Sequence, residues 1–201
     1  VWGKSMTSLT LENIRKLPKV ELHRHLEGCV RPETFLEIVR EYRLPLAIPD
    51  LAAARRLIQM TEGDSRNFQV FLAKFEPLRG FYPSREAIER VAREAVEDAA
   101  RDTVRYLELR FSPVHFARGR GFDPIETAHW IVEAARAEAR RHGMRVAFIA
   151  TLGRHFSREV NAPTLQAALE MAGDGFVGLD LAGDEVNFPA RDFADFLEKA
   201  R

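Results

Sequence analysis

Cysteine is almost missing from this chain: Cys29 is the single one among 201 residues, so no intrachain disulfide can form and a reducing compartment is expected. Also missing is any apolar run of the roughly 18–20 residues that a membrane-spanning helix needs. Net charge is absent as well, because 30 basic side chains balance 30 acidic ones. That balance argues against a polyanion partner such as duplex nucleic acid. Residues 1–5 lack the apolar core of a signal peptide, and they read equally as native sequence or as a remnant before a start at Met6. The expectation is a cytoplasmic protein with no nucleic-acid or membrane partner; its oligomeric state is left open. No internal repeat, low-complexity segment or linker divides the chain, and 46% of its residues are hydrophobic, so residues 1–201 read as one domain with a sizeable core.

What is present begins with a pair of histidines. His23 and His25 close the run Val20-Glu21-Leu22-His23-Arg24-His25-Leu26-Glu27-Gly28, whose apolar start suits a short buried strand and whose glycine ends it. Side chains at i and i+2 of a strand share a face. Two imidazoles at the end of one strand therefore project into one volume, which is how a metal ligand pair is built on rigid backbone. Read alone, His-x-His is also short enough to arise by chance as two unrelated surface histidines.

Four strand-length apolar runs stand out, at residues 20–26, 104–111, 146–152 and 176–182. A helical pattern fills 124–142, where Ile125, Ala128, Ile131, Val132, Ala135 and Ala139 recur at helical spacing and Gly143 stops the helix. Residues 163–172 read as another helix opened by Asn161 or Thr164. Strands alternating with helices imply an α/β fold with a parallel sheet. The first crossover differs, since 33–42, 51–60, 68–80 and 84–101 all carry helical pattern, broken by Pro45, Pro49, Gly63 and Pro83. Such an excursion reads as a helical insertion over one end of a barrel.

Each run delivers polar groups at its carboxyl end: His23, His25 and Glu27, then Glu108, Arg110 and Ser112, then Arg154 and His155, then Asp180, Gly183, Asp184 and Glu185. Parallel α/β barrels keep their active sites at that end. Singly, each group has a plainer explanation. Glu108 and Arg110 alternate with apolar neighbours and read as an interior ion pair, His155 reads equally as a strand cap or a ligand contact, and His115, His129 and His142 read as structural or solvated. The stripe Phe68, Phe71, Leu72 and Phe75 reads on spacing alone as core.

Five blocks carry a family resemblance: Leu17-Pro18-Lys19-Val20-Glu21-Leu22-His23-Arg24-His25-Leu26-Glu27-Gly28, Arg31-Pro32-Glu33-Thr34, Phe71-Leu72-Ala73-Lys74-Phe75, Tyr106-Leu107-Glu108-Leu109-Arg110-Phe111-Ser112-Pro113 and Gly178-Leu179-Asp180-Leu181-Ala182-Gly183-Asp184-Glu185. In this order they resemble the amino-terminal part of the adenosine deaminase family, within the amidohydrolase group of metal-dependent (β/α)8 TIM-type barrels. The resemblance implies an incomplete amino-terminal half-barrel, truncated at the carboxyl end. It also implies zinc-dependent hydrolytic deamination at C6 of adenosine or a related purine nucleoside or base, consuming water and releasing ammonia. By position, His23 and His25 match two ligands of one zinc ion, Glu27 the acidic residue that contacts the sugar hydroxyl, and Gly183 the glycine whose N–H contacts the purine. Phe71, Leu72 and Phe75 match a hydrophobic lid helix, which replaces the core reading of that stripe. Ser112 and Asp184 match outer positions of the pocket.

Two departures qualify the match. Adenosine-specific members typically carry aspartate where this chain has Glu27, and glutamate occurs in relatives acting on adenine or on modified adenosine-like nucleosides. The family's third zinc histidine, acid–base residues and zinc-bound aspartate lie on strands after Ala182, so they are expected beyond Arg201, and the 201 residues alone are expected to be inactive. The rival readings are another amidohydrolase chemistry on the same barrel, such as phosphoester or amide hydrolysis, and a non-enzymatic growth factor–like or binding relative.

Overall fold

The computed structural model describes residues 10–201, so the readings on residues 1–5 and Met6 lie outside it. Four strands form where the apolar runs fall: β1 (Lys19–His25), β2 (Val104–Phe111), β3 (Arg145–Gly153) and β4 (Phe176–Ala182). They pair in sequence order β1-β2-β3-β4, and every pairing is parallel. Parallel neighbours need crossovers, which nine described helices and three 3-10 turns supply or flank. Short α1 (Leu11–Lys16) precedes the sheet. The first crossover holds α2 (Pro32–Glu41), α3 (Leu51–Ile58), α4 (Phe68–Ala73) and α5 (Arg85–Arg101). The second holds α6 (Pro113–Ala117) and α7 (Pro124–Arg141), and the third α8 (Arg158–Glu170); α9 (Ala194–Lys199) follows β4. This is half of a TIM-type barrel with a helical insertion after its first strand, as expected.

Period-two alternation divides the sheet into two faces. Leu107, Leu109 and Phe111 of β2 and Phe148, Ala150 and Leu152 of β3 are fully buried toward the helices. All but Leu152 share one core with Ile88, Val91, Ala92, Ala95, Val96 and Ala99, one stripe of α5, and the matching stripe of α7, while Leu152 packs with Leu165, Phe193 and Phe196. Tyr106, Glu108 and Arg110 alternate onto the other face, which is concave. Among the described residues, β1 and β4 pair on one side only. Their apolar Val20, Leu22 and Val177 are 63%, 54% and 59% exposed. No described helix is long and apolar enough to cross a membrane.

Two expectations are corrected. Glu108 and Arg110 are not an ion pair: Glu108 accepts a hydrogen bond from the Tyr106 hydroxyl at 3.0 Å, while Arg110 pairs with Asp180 at 2.9 Å and donates to the Leu22 carbonyl at 3.1 Å. Local alternation fixed the shared face, but the curve of the sheet chose the partner. Helix α8 begins at Arg158, before the expected start at 163, capped by Ser157, whose hydroxyl accepts from the Val160 N–H. Pro163 lies inside it, past the first turn, where its missing N–H removes a backbone bond from the helix.

Asn161, expected as a cap, does something else. Its side chain accepts from Gly153 N–H at 2.9 Å and donates to the Gly153 and Phe156 carbonyls at 3.0 and 3.2 Å, fully buried. This amide clasp fixes the turn where β3 delivers its end to the barrel mouth. Asn161→Ala takes the side-chain partner from Gly153 N–H in the interior, while the Gly153 carbonyl keeps the Phe156 N–H at 3.0 Å, and is expected to cost about 1–3 kcal/mol. Urea unfolding should show a lower midpoint at unchanged m value; an unaltered midpoint would show that the clasp is dispensable.

Candidate active site

β1 carries a register shift against β2 between Glu21 and Arg24. Glu21 and Arg24 pair with each other at 2.7 Å, and Arg24 donates to the Ala95 carbonyl on α5. That leaves His23 and His25 together on the other side. Their Nε2 atoms lie 3.2 Å apart and their rings are tilted at 54°. Two nitrogens about 2.0–2.1 Å from one tetrahedral ion lie roughly 3.3 Å apart, so the spacing fits a shared zinc. The ring of His25 has its pKa lowered to about 4, chiefly by burial and also by the charges of Arg110 and His23, against the opposing pull of Asp180. A neutral imidazole keeps the lone pair that a metal requires. Among the described residues no three His, Cys, Asp or Glu side chains converge as a metal site, so this pair offers half of a tetrahedral set.

Both histidines line a cavity of about 710 Å³, together with Met60, Phe71 and Phe75. Asn67 caps α4, its side chain accepting from Val70 N–H, and the helix stands over the cavity with Phe71 44% exposed. Phe71 meets Phe75 edge-on at 5.4 Å, and the Phe75 ring lies against Gly28. Leu72, of the same stripe, does not line the cavity. Just after α4, Lys74 donates to the Arg56 carbonyl and pairs with Asp64 at 2.9 Å. Lys74, helped by Thr61, holds the Asp64 carboxyl down at about 2. At the far end of this segment Gly80 adopts φ +70°, a conformation that favours glycine, and its backbone touches Gly119 so closely that a Cβ on Gly119 would lie 2.3 Å from Gly80 Cα.

Glu27 follows β1 in a 3-10 turn (Leu26–Gly28) and is buried. Its Oε1 accepts from Ser112 N–H at 2.7 Å, where β2 gives way to α6, while Oε2 has no partner. Burial pushes the Glu27 carboxyl up to about 7. Gly183 takes φ +119° at the end of β4, against Arg154 and His155. His155 packs on Phe156 with ring centroids 4.1 Å apart. Asp184 turns back into its own loop, accepting from Val186 N–H, Asn187 N–H and the Asn187 amide. Sequence reasoning missed Tyr82, fully buried with an unpartnered hydroxyl; between Phe81 and Pro83 it looks like ordinary core, and no local signal separates it.

A parallel α/β half-barrel with paired imidazoles at the carboxyl end of its first strand places the chain in the class of TIM-type barrel proteins. The adenosine deaminase family profile matches residues 18–201, and the chain belongs to that family. An adenosine deaminase of Erwinia tasmaniensis is 37% identical over 186 residues, covering 92% of this chain and 55% of the relative. The chain thus spans about half the length of the curated relatives it matches. Among solved structures, a zinc-bound amidohydrolase from Burkholderia ambifaria superposes with a TM-score of 0.81 at 24% identity, over 97% of this chain and 52% of that one. An Arabidopsis N6-mAMP deaminase superposes at 0.79 with 27% identity, over 94% and 57%.

His115, on α6, lies against Tyr82 and Phe116 with its Nε2 buried and unpartnered. Burial, then the charges of Arg79 and His155, lower its pKa to about 4. Between its ordinary value of 6.5 and about 4 the unfolded chain binds the extra proton, so stability falls as pH falls through that window. Thermal unfolding of His115→Phe should show a shallower acid limb there than the parent. Parallel curves between pH 6.5 and 4 would assign the acid loss to other groups.

Proposed function

We propose that this half-barrel belongs to a zinc-dependent aminohydrolase that removes the C6 amino group of adenosine or a related purine as ammonia. One observation carries the reading: a chain of the adenosine deaminase family presents two imidazole nitrogens 3.2 Å apart over a cavity beneath α4. His23 and His25 would hold the metal in their neutral forms. Zinc, when bound, supplies a Lewis acid that brings the pKa of water from 15.7 toward 7. Glu27 binds a hydroxyl remote from C6, and Gly183 N–H binds the purine edge. Phe71 and Phe75, with Leu72 behind them, serve as a lid that keeps bulk water from the reacting carbon. Ser112 and Asp184 hold outer positions of the pocket, Ser112 by anchoring Glu27. The remaining zinc ligands and the proton-transfer groups are assigned to barrel strands outside these four.

A second reading takes adenine or an N6-modified adenosine-like compound as substrate. Glu27, longer by one methylene than the family's usual aspartate, favours it, as does the likeness to an N6-mAMP deaminase. Ammonia release by the full-length, zinc-loaded protein from adenosine and adenine, and methylamine release from N6-methyl-AMP, separates the two. His23→Ala and His25→Ala are expected to lower kcat at least about a hundredfold and to lower bound zinc. Hydrolysis of phosphoesters or amides, with no amine released from any purine, would refute deamination.

Phe71→Ala removes apolar contact from the lid and should raise KM about fivefold, roughly 1 kcal/mol for a half-exposed ring, with a smaller change in kcat. An unchanged KM for every purine tested would take Phe71 out of the binding surface.

A further inference from the structure

Arg154 leaves the end of β3 and reaches across to the segment that follows β4. It is 8% exposed, and a guanidinium that deep needs acceptors. Its Nη1 donates to the Phe188 carbonyl at 2.6 Å, and its Nη2 stands 3.6 Å from the Glu185 carboxylate. Its backbone N–H donates to the Ala182 carbonyl at 2.9 Å, just past the last paired residues of β3 and β4. One residue therefore holds the chain on both sides of Gly183, at 182 and at 188.

Between those two points the loop is closed on itself. The Asp184 carbonyl accepts from Phe188 N–H at 3.0 Å, and the Asp184 carboxylate accepts from the N–H groups of Val186 and Asn187. Gly183 joins this closed turn to the strand. It sits at φ +119°, and a side chain there would meet the Cβ of Arg154 at 3.4 Å. A glycine has no side chain with which to fix its own peptide, so the direction of its N–H is set by the bonds on either side. The turn from which Arg154 reaches is itself held, because Asn161 clasps Gly153. Arg158 makes an outwardly similar tie, donating to the Asp192 carbonyl at 2.8 Å and pairing with Asp195. Its side chain is 48% exposed, however, and it holds the chain beyond residue 188 against α8.

We propose that Arg154 is a positioning residue for substrate binding: by bracketing Gly183 it aims the N–H that meets the purine ring. This rests on the deaminase reading, in which Gly183 contacts that ring. Arg154 acts through Gly183 and not on the substrate itself. The contact is to an edge of the ring that nucleoside and free base share, and not to the groups that change at C6. Misdirecting it weakens the ground state and the transition state alike, so KM rises while kcat holds.

The test compares the full-length, zinc-loaded parent with Arg154→Met, Arg154→Lys and Arg158→Met. Kinetics are measured on adenosine, adenine and N6-methyl-AMP, and amide hydrogen exchange is followed without substrate. Arg154→Met keeps an apolar stem and loses every donor. It should raise KM about five- to tenfold, by one factor on every purine the parent accepts, with kcat within about twofold. Exchange across residues 183–189 should quicken, while β4 and α8 keep the parent's rates. Arg154→Lys keeps the charge and reaches one acceptor but lacks the fork that spans two, so it should fall between the parent and Arg154→Met on both readouts. It carries the comparison where the methionine variant does not fold. Arg158→Met should leave KM at the parent's value. An unchanged KM in the Arg154 variants, a loss confined to kcat, exchange across 183–189 at the parent's rate, or an equal KM rise in Arg158→Met would each overturn the inference while leaving deamination intact. A parent that deaminates none of the three purines overturns the deaminase reading and this one with it.

Discussion

Arg110 bends the sheet. Its guanidinium, 8% exposed, donates to the Leu22 carbonyl on β1 and pairs with Asp180 on β4, with β3 lying between. In a flat sheet β1 and β4 are three spacings, ~14 Å, apart. One guanidinium with a hydrogen bond of roughly 3 Å on either side falls well short of that, even with the reach of an aspartate side chain. Concave curvature closes the gap. A buried charge of this kind is tolerated only when paired, so Arg110 and Asp180 hold each other in place and the curve with them. The carboxyl ends of all four parallel strands consequently lie along one edge of the curved sheet. The same positive charge reaches His25 and helps to keep its ring neutral, so barrel curvature and the protonation state of that imidazole share one residue.

The strands were readable to within a residue or so because each is a short run of large or β-branched apolar residues at alternate positions, and proline and glycine mark their boundaries. The insertion helices and α5 were readable from a 3.6-residue stripe, except that the helix expected over 68–80 ends at Ala73 and is followed by a 3-10 turn at Glu76–Leu78, where Pro77 interrupts the pattern. The start of α8 was not, because Pro163 imitates a helix opening while the actual cap, Ser157, precedes a stretch with no strong stripe. Pairing across strands was also illegible. Glu108 and Arg110 share a face by alternation, yet Arg110 found its carboxylate seventy residues away, which depends on curvature and not on neighbours in sequence.

The site divides along the same line. His23 and His25 could be paired from spacing, although the register shift that separates them from Glu21 and Arg24 could not be seen. Glu27 and Gly183 were reached only through family resemblance. Tyr82 and the Asn161 clasp were reached by neither route, since a buried hydroxyl or amide in an apolar segment looks like composition noise until its partners are placed.

The backbone contact between Gly80 and Gly119 makes the covering segment a door with a fixed post. At that post two glycines touch with no room for a side chain, whereas Gly63 at the opposite edge has open space around it. Between them, Lys74 ties the leaf to the Arg56 carbonyl of α3 and to Asp64, so the covering segment is braced along its middle as well. Any widening of the cavity mouth therefore has to break the Lys74 contacts or turn the chain at Gly63, because the Gly80–Gly119 edge leaves no slack.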